Sequence, residues 1–278
     1  MRQKMLFCCL TETMGNYKII PIFVPHKGCP HQCSFCNQKH ITGQIEDVTP
    51  KMAEETILKY LTTIDSARNF VEIAFYGGSF TAIDLKLQCS LLSVAKKYKD
   101  SGLVHGIRLS TRPDAISKEI LDNLLDFGIT DIELGVQSMC EEVLEQNHRG
   151  HNSKQVKDAV SLIRKYPFKL GLQMMVGLIG DSKEKSIYTA NEIAKLKPDF
   201  VRIYPTLVFD NTPLAELYKI GKYIPLTVEQ AVDICRDVKA VFDKNELKII
   251  RIGLLVTENE ARDNLLGGPY HQSFRNLL

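Results

Sequence analysis

Cys29, Cys33 and Cys36 fall within the segment GCPHQCSFC in a C-x3-C-x2-C arrangement. Three thiolates packed this tightly into a loop can hold three irons of a cubane cluster. Four cysteines ligate a [4Fe–4S] cluster fully, so a three-cysteine site leaves one iron open to an outside ligand. The same triplet also suits zinc, with His31 or His40 completing a four-coordinate site. Both readings stand on the residues alone. Eight cysteines in 278 residues are too sparse for a disulfide framework. Cys8, Cys9, Cys89, Cys140 and Cys235 show no regular pattern and read as small buried hydrophobes or inert thiols.

Such a loop needs a scaffold, and the chain alternates strand and helix patterns. Ile19–Val24 is an apolar run closed by Pro25 and the cysteine loop. Val71–Tyr76, Ile107–Ser110, Asp131–Val136, Lys169–Val176 and Phe200–Tyr204 read as further short strands. Helices are predicted between them. The first runs from Pro50 to about Asp65, with Pro at its first position. The others span Asp84–Lys99, Ser117–Phe127, Ser153–Tyr166 and Lys183–Lys197. This alternation predicts an α/β fold with a parallel sheet and right-handed crossovers. Six βα units in place of eight predict a partial (β/α)6 TIM-like barrel, open on one side, with its site after the strand ends. A long helix over Thr227–Asn245 and a strand-like run over Lys248–Leu254 read as a C-terminal extension that closes the barrel laterally.

Length and composition suit one large globular unit: 44% of residues are hydrophobic and 24% charged. A formal net charge of +2 excludes a global electrostatic footprint for nucleic acid. Lys96, Lys97 and Lys99 form at most a local patch on a solvated helix face. The apolar run in MRQKMLFCCL is shorter than the roughly 7–15 residues of a signal-peptide core. No run approaches the roughly 18–20 apolar residues of a membrane span, so no membrane partner is expected. Free thiols suit a reducing compartment, and the chain is read as cytoplasmic.

The triplet resembles the signature of the radical S-adenosylmethionine (SAM) superfamily. In that superfamily the open iron chelates the amino and carboxylate groups of SAM. One-electron reduction then releases a 5′-deoxyadenosyl radical, chemistry that belongs to the cofactors. The resemblance implies a [4Fe–4S] cluster on Cys29, Cys33 and Cys36, SAM on the open iron, and Phe35 beside the adenine. Gly77, Gly78 and Ser79 match the second motif of the superfamily, whose usual Glu is here Ser79. Glycines there let backbone groups approach the SAM ammonium closely.

The segments Ser110–Asp114 (STRPD), Glu133–Ser138 (ELGVQS), Arg149–His151 (RGH) and Tyr204–Val208 (YPTLV) follow in order. Together they resemble the radical SAM domain of the Elongator catalytic subunit family from about Tyr17 to Tyr223. GVQS also occurs in oxygen-independent coproporphyrinogen oxidases. By position, Gln137, Arg149 and Gln173 correspond to SAM contacts in those relatives, Arg149 through a bidentate fork on the carboxylate. Ser110 sits where relatives often carry a Glu that holds SAM. Gly177 and Gly180 bound a turn expected along the adenine. His151 and Tyr204 lie toward the same barrel end, where a histidine titrating near neutrality can supply a proton. A packing or capping role fits each equally, and neither is read as catalytic. Gly267–His271 reads as a terminal loop or a lid.

The resemblance divides the chain into a core over residues 17–223 and a C-terminal extension over 224–278. The Elongator family carries an acetyltransferase domain after the radical domain and a long basic tRNA-binding region before it. With 55 residues after Tyr223 and 28 before Cys29, neither is expected here. Carboxymethylation of wobble uridine is therefore not carried over with the fold. The expectation is a radical SAM enzyme reduced by flavodoxin or ferredoxin. It abstracts hydrogen from an unidentified substrate, with tRNA the first candidate. The alternative is a zinc-stabilised RNA-binding or scaffold protein without catalysis.

Overall fold

A computed structural model describes residues 17–24, 29, 31–36, 48–254 and 264–278. The expectations for His40, Cys8, Cys9 and the N-terminal segment lie outside these residues. Seven strands form one parallel sheet. They are β1 (Tyr17–Val24), β2 (Phe70–Gly77), β3 (Gly106–Thr111), β4 (Asp131–Gln137), β5 (Lys169–Val176), β6 (Phe200–Pro205) and β8 (Ile249–Ile252). Neighbours pair in sequence order, with β8 alongside β6. The helices between them are α1 (Pro50–Leu61), α2 (Leu85–Asp100), α3 (Lys118–Asp126), α4 (Glu141–Gln146), α5 (Ser153–Ile163), α6 (Lys183–Lys195), α7 (Pro213–Lys219) and α8 (Val228–Lys244).

Local chemistry sets the helix starts. Thr49 Oγ1 accepts the Met52 N–H at 3.2 Å ahead of Pro50, and Asp84 caps α2 through the Lys86 and Leu87 amides. Asn152 with Gln155, and Thr227 with Gln230, form capping boxes on α5 and α8. Strand alternation sets the layers. In β4, Ile132, Leu134 and Val136 are fully buried in the apolar core shared with the helices. Asp131, Glu133, Gly135 and Gln137 therefore face the opposite side, the barrel lumen.

The partial barrel is present, and it has more parallel strands than the six expected. The run read as a lateral closure is β8, hydrogen-bonded in register with Arg202 opposite Arg251. The sheet curls: the Arg202 guanidinium on β6 lies 5.9 Å from the Tyr76 ring on β2, four strands away in the order. The short helices α4 and α7 were not read from sequence. Neither was the antiparallel pair β7 (Val208–Phe209) with β9 (Leu265–Gly267). Elements this short carry too few residues for a periodic pattern. Lys96, Lys97 and Lys99 are engaged individually, by Asp100, Glu54 and the Gly128 carbonyl. No helix among the described residues is long and apolar enough to cross a membrane.

The lumen holds a buried ionic network. Glu133 accepts from Arg108 Nη1 (2.8 Å), Arg202 Nε (2.7 Å) and Nη2 (2.9 Å), and Gln173 Nε2 (2.8 Å). Arg108 continues to Glu72 at 2.9 Å and to Tyr17 at 2.8 Å. Two guanidiniums outweigh burial and hold the Glu133 carboxyl down at about 2. Burial dominates at Glu72 and raises its carboxyl.

For Glu133 the folded value lies below the unfolded one of about 4.3. Its contribution is therefore present above that pH and lost as pH falls toward 2. Glu133→Gln is expected to cost about 3–5 kcal/mol at neutral pH, because it leaves buried guanidiniums uncompensated. Urea unfolding across pH 5 to 2 should show a shallower loss of stability in the variant than in the wild type. Parallel curves would contradict this assignment.

Candidate cofactor site

The cysteine loop follows β1 at the C-terminal rim of the sheet and is tied down by Ser34. The Ser34 N–H donates to the Asn147 carbonyl at 3.2 Å, and its hydroxyl donates to Asn147 Oδ1 at 2.7 Å. Its carbonyl accepts the Leu214 N–H from α7 at 2.8 Å. Asn147, fully buried after α4, also donates to Val143 O (2.7 Å) and Ile179 O (2.9 Å). Within the loop, the Cys36 N–H closes a turn onto the Cys33 carbonyl at 3.2 Å. Cys33 is buried, while Cys29 and Cys36 are partly exposed.

Arg149 joins this loop to the barrel. Its Nη1 donates to Cys33 Sγ at 3.0 Å and its Nη2 to the Gly135 carbonyl at 2.7 Å, while Nε has no partner. The guanidinium carbon lies 5.9 Å from the Phe35 ring centroid. Both terminal nitrogens are thus engaged within the protein, and Nε is left available. Gly135 packs closely under these side chains. A Cβ there would sit 2.9 Å from Gln137 Nε2 and 3.4 Å from Arg149 Nη2. Gln137 itself adopts a left-handed conformation, φ 66°, beside a break in strand register, with its buried Oε1 unpartnered. Such strain in a non-glycine residue costs on the order of 1–3 kcal/mol and clusters at functional sites.

Other expected residues are placed differently. Gly77 takes φ 105°, with Val24 O only 3.2 Å from where a Cβ would stand, and the Gly78 N–H donates to Val24 O at 2.8 Å. The Ser79 hydroxyl is committed to the protein: it shares a hydrogen bond with Thr111 Oγ1 and accepts the Arg112 N–H at 3.1 Å. Only its backbone remains for a ligand. Ser110 Oγ is buried without a partner. The Gln173 amide nitrogen donates to Glu133 in the lumen. Arg202 reaches the Tyr76 and Tyr204 hydroxyls at 3.3 and 3.5 Å, so Tyr204 belongs to the same lumen network.

His151, for which proton supply and a packing role were both open, is buried. Burial, with Arg149 and Arg112 nearby, lowers it to about 3, so the ring is neutral at physiological pH. Gly177 is anchored by Asp181 and by the Tyr223 hydroxyl at 2.6 Å. Gly267 lies in β9 opposite Val208, and a Cβ on Gly268 would meet Thr206 O at 2.8 Å. The C-terminal glycine segment therefore folds back onto the rim and is not a free terminal loop.

The donor set fits an anionic cluster with a polar ligand. Burial raises the Cys29 thiol, while Arg112 and Arg149 act to lower it. Arg149 Nε, Arg112 Nη1, Gln137 Oε1, Ser110 Oγ and His151 Nδ1 are buried and unpartnered in this region. Orphaned groups of this kind cost about 1–3 kcal/mol each unless a ligand or water completes them. No three Cys, His, Asp or Glu side chains among the described residues are grouped to hold a metal ion. Ser34, Asn147 and Arg112 had no assigned role in the sequence reading. Arg112 alone carried a signal, as part of the STRPD segment.

The family model described as the Radical SAM superfamily matches residues 23–193, and that of a Radical_SAM C-terminal domain matches residues 198–278. The tRNA uridine(34) acetyltransferase of Methanocaldococcus jannaschii is 26% identical over 272 residues, covering 84% of this chain and 50% of that protein. Elongator complex protein 3 of Dictyostelium discoideum is 36% identical over 152 residues, covering 53% of this chain and 27% of that protein. The chain spans about half the length of the acetyltransferase relatives it matches. The solved structure of Methanocaldococcus infernus Elp3 with an N-terminal deletion aligns with a TM-score of 0.73 at 21% identity, covering 94% of this chain and 61% of that one. Escherichia coli coproporphyrinogen III oxidase aligns with a TM-score of 0.58 at 18% identity, covering 83% and 52%. At these identities the structural likeness establishes the shared fold.

Asn147→Ala removes the acceptor for the Ser34 hydroxyl and the donor to the Ile179 carbonyl. It is expected to cost about 1–3 kcal/mol in urea unfolding and to speed hydrogen exchange at the Ser34 amide. Unchanged stability and exchange would show that the loop is held elsewhere.

Proposed function

Because the chain belongs to the radical SAM superfamily, an enzyme class that uses a [4Fe–4S] cluster and SAM, we propose that Cys29, Cys33 and Cys36 hold the cluster. Phe35, Gly77, Gly78, the Ser79 backbone, Ser110, Gln137 and Arg149 line the SAM site beside it. The observation that carries this reading is the Arg149 bridge from Cys33 Sγ to the Gly135 carbonyl. It fixes a thiol at the strand ends, among buried polar groups that lack partners. The bound cofactors supply one-electron cleavage of the SAM sulfonium and a 5′-deoxyadenosyl radical that takes a hydrogen atom from substrate.

The chain's own residues do the positioning. Arg149 neutralises thiolate charge and presents Nε as a donor for the SAM carboxylate. Gln137 Oε1 is an acceptor for the SAM ammonium, together with backbone carbonyls of the Gly77–Ser79 turn. Arg202, held by Glu133, keeps the Tyr76 and Tyr204 hydroxyls oriented in the lumen, where the substrate enters. Reduced flavodoxin or ferredoxin is the proposed electron donor. We propose tRNA as the substrate class, supported by the relatives whose names specify tRNA uridine(34). Acetyl transfer, part of the same names, is not carried to a chain that matches about half of those proteins.

Reconstitution under nitrogen with iron and sulfide should give a brown protein that releases 5′-deoxyadenosine with dithionite and SAM. Cys33→Ala should lose cluster and nucleoside together. A colourless zinc protein, or turnover surviving Cys33→Ala, would overturn the reading. Arg149→Ala should retain most of its iron and bind SAM about 1.5–3 kcal/mol more weakly, the range for a charge-assisted bond. Unaltered SAM affinity would return Arg149 to a purely structural role.

A further inference from the structure

Arg112 is left without a role by the SAM site described above. It is 3% exposed, and a charge buried this deeply needs compensation. Its Nε and Nη2 form a fork with Asp114 at 2.9 and 3.1 Å, and Nη2 also donates to the Arg149 carbonyl. The remaining nitrogen, Nη1, is buried with no partner. We propose that Arg112 is a positioning residue whose guanidinium stabilises the reduced form of the cluster held by Cys29, Cys33 and Cys36, and so sets its reduction potential. This inference rests on the cofactor reading above.

Three observations support it. First, the backbone at Arg112 is immobilised. Its N–H donates to Ser79 Oγ, which is linked to Thr111 Oγ1, itself 2.6 Å from Thr81 Oγ1; Thr81 then donates to the Ala115 carbonyl at 2.6 Å. Pro113 follows directly and restricts the chain further. A charge fixed this way interacts with a nearby site without reorganising. Second, Arg112 Nη1 is buried with no partner, so one N–H of the guanidinium is left to donate. Third, its contact with the Arg149 carbonyl ties it to the residue that touches Cys33, so both guanidiniums belong to one rigid unit.

Reduction adds one negative charge to the cluster. A fixed cation with a spare N–H, tied through Arg149 to Cys33, favours that state, because net local charge and hydrogen bonding to sulfur set cluster potentials. Asp114 opposes the effect from the other side of the fork. Its side chain is 16% exposed, against 4% for Arg112, so solvent screens it more. Arg112 and Asp114 therefore act with opposite sign on the potential.

The test compares wild type, Arg112→Gln, Arg112→Lys and Asp114→Asn after anaerobic reconstitution. Iron and sulfide content and the electron paramagnetic resonance signal are followed during a redox titration. Arg112→Gln should retain its iron and show a reduction equilibrium about tenfold weaker, a midpoint about 59 mV more negative. Arg112→Lys should shift less in the same direction, and Asp114→Asn should shift to more positive potential. A merely structural role would leave the midpoint in place, and equal midpoints in all four proteins overturn the inference. If Arg112→Gln loses its cluster, the lysine and asparagine variants decide: midpoints equal to wild type, or moving together, overturn it. A wild-type protein that assembles no cluster ends the cofactor reading and this inference with it. An assembled cluster with an insensitive midpoint ends the inference alone.

Discussion

A single guanidinium, that of Arg149, holds the cysteine loop in register with the barrel. One nitrogen touches Cys33 Sγ and another the Gly135 carbonyl at the end of β4. Beside the bridge, Gly135 leaves room for the Gln137 and Arg149 side chains and Gln137 turns left-handed. Ser34 and Asn147 then secure the other side of the loop. The Ser34–Asn147 ties keep the thiols over the strand ends, and Arg149 sets how Cys33 faces the barrel. The vacant metal corner is useful only if it faces the SAM contacts.

Below the rim, the alternation of parallel strands forces a choice about the lumen. Outward residues pack against helices as a continuous apolar layer, so polarity is confined to the inward positions. There Glu133 neutralises two arginines from different strands, with Gln173 and the tyrosines completing the network. A buried ionic network of this kind contributes less to stability than an apolar filling of equal shape. What it offers is a rigid polar floor to the lumen.

Much of this was legible in the sequence. The C-x3-C-x2-C spacing, the glycine pair after β2 and the apolar runs of the strands located the loop and the parallel sheet. Local signals such as Pro50 and the capping residues marked helix starts. What stayed hidden depends on contacts between distant residues. Ser34 and Asn147 are separated by 113 positions, and nothing in either neighbourhood announces the pair. Gln173 sits on the predicted strand and face, yet Glu133 binds its amide. His151 carries an ordinary motif histidine's promise, but burial beside two guanidiniums keeps it neutral. Ser79 occupies a ligand position by alignment while its hydroxyl ties β2 to β3. β8 looked like an appendage because its partner, β6, is separated from it by two helices and the short strand β7.

The central claim is that three cysteines leave one iron for SAM to bind. Electron–nuclear double resonance on the reduced, reconstituted protein, with SAM carrying 15N in its amino group and 17O in its carboxylate, addresses that directly. The account predicts couplings from both labels to the cluster, showing that the amino acid end of SAM chelates the open corner. A well-formed reduced cluster with neither coupling would contradict it.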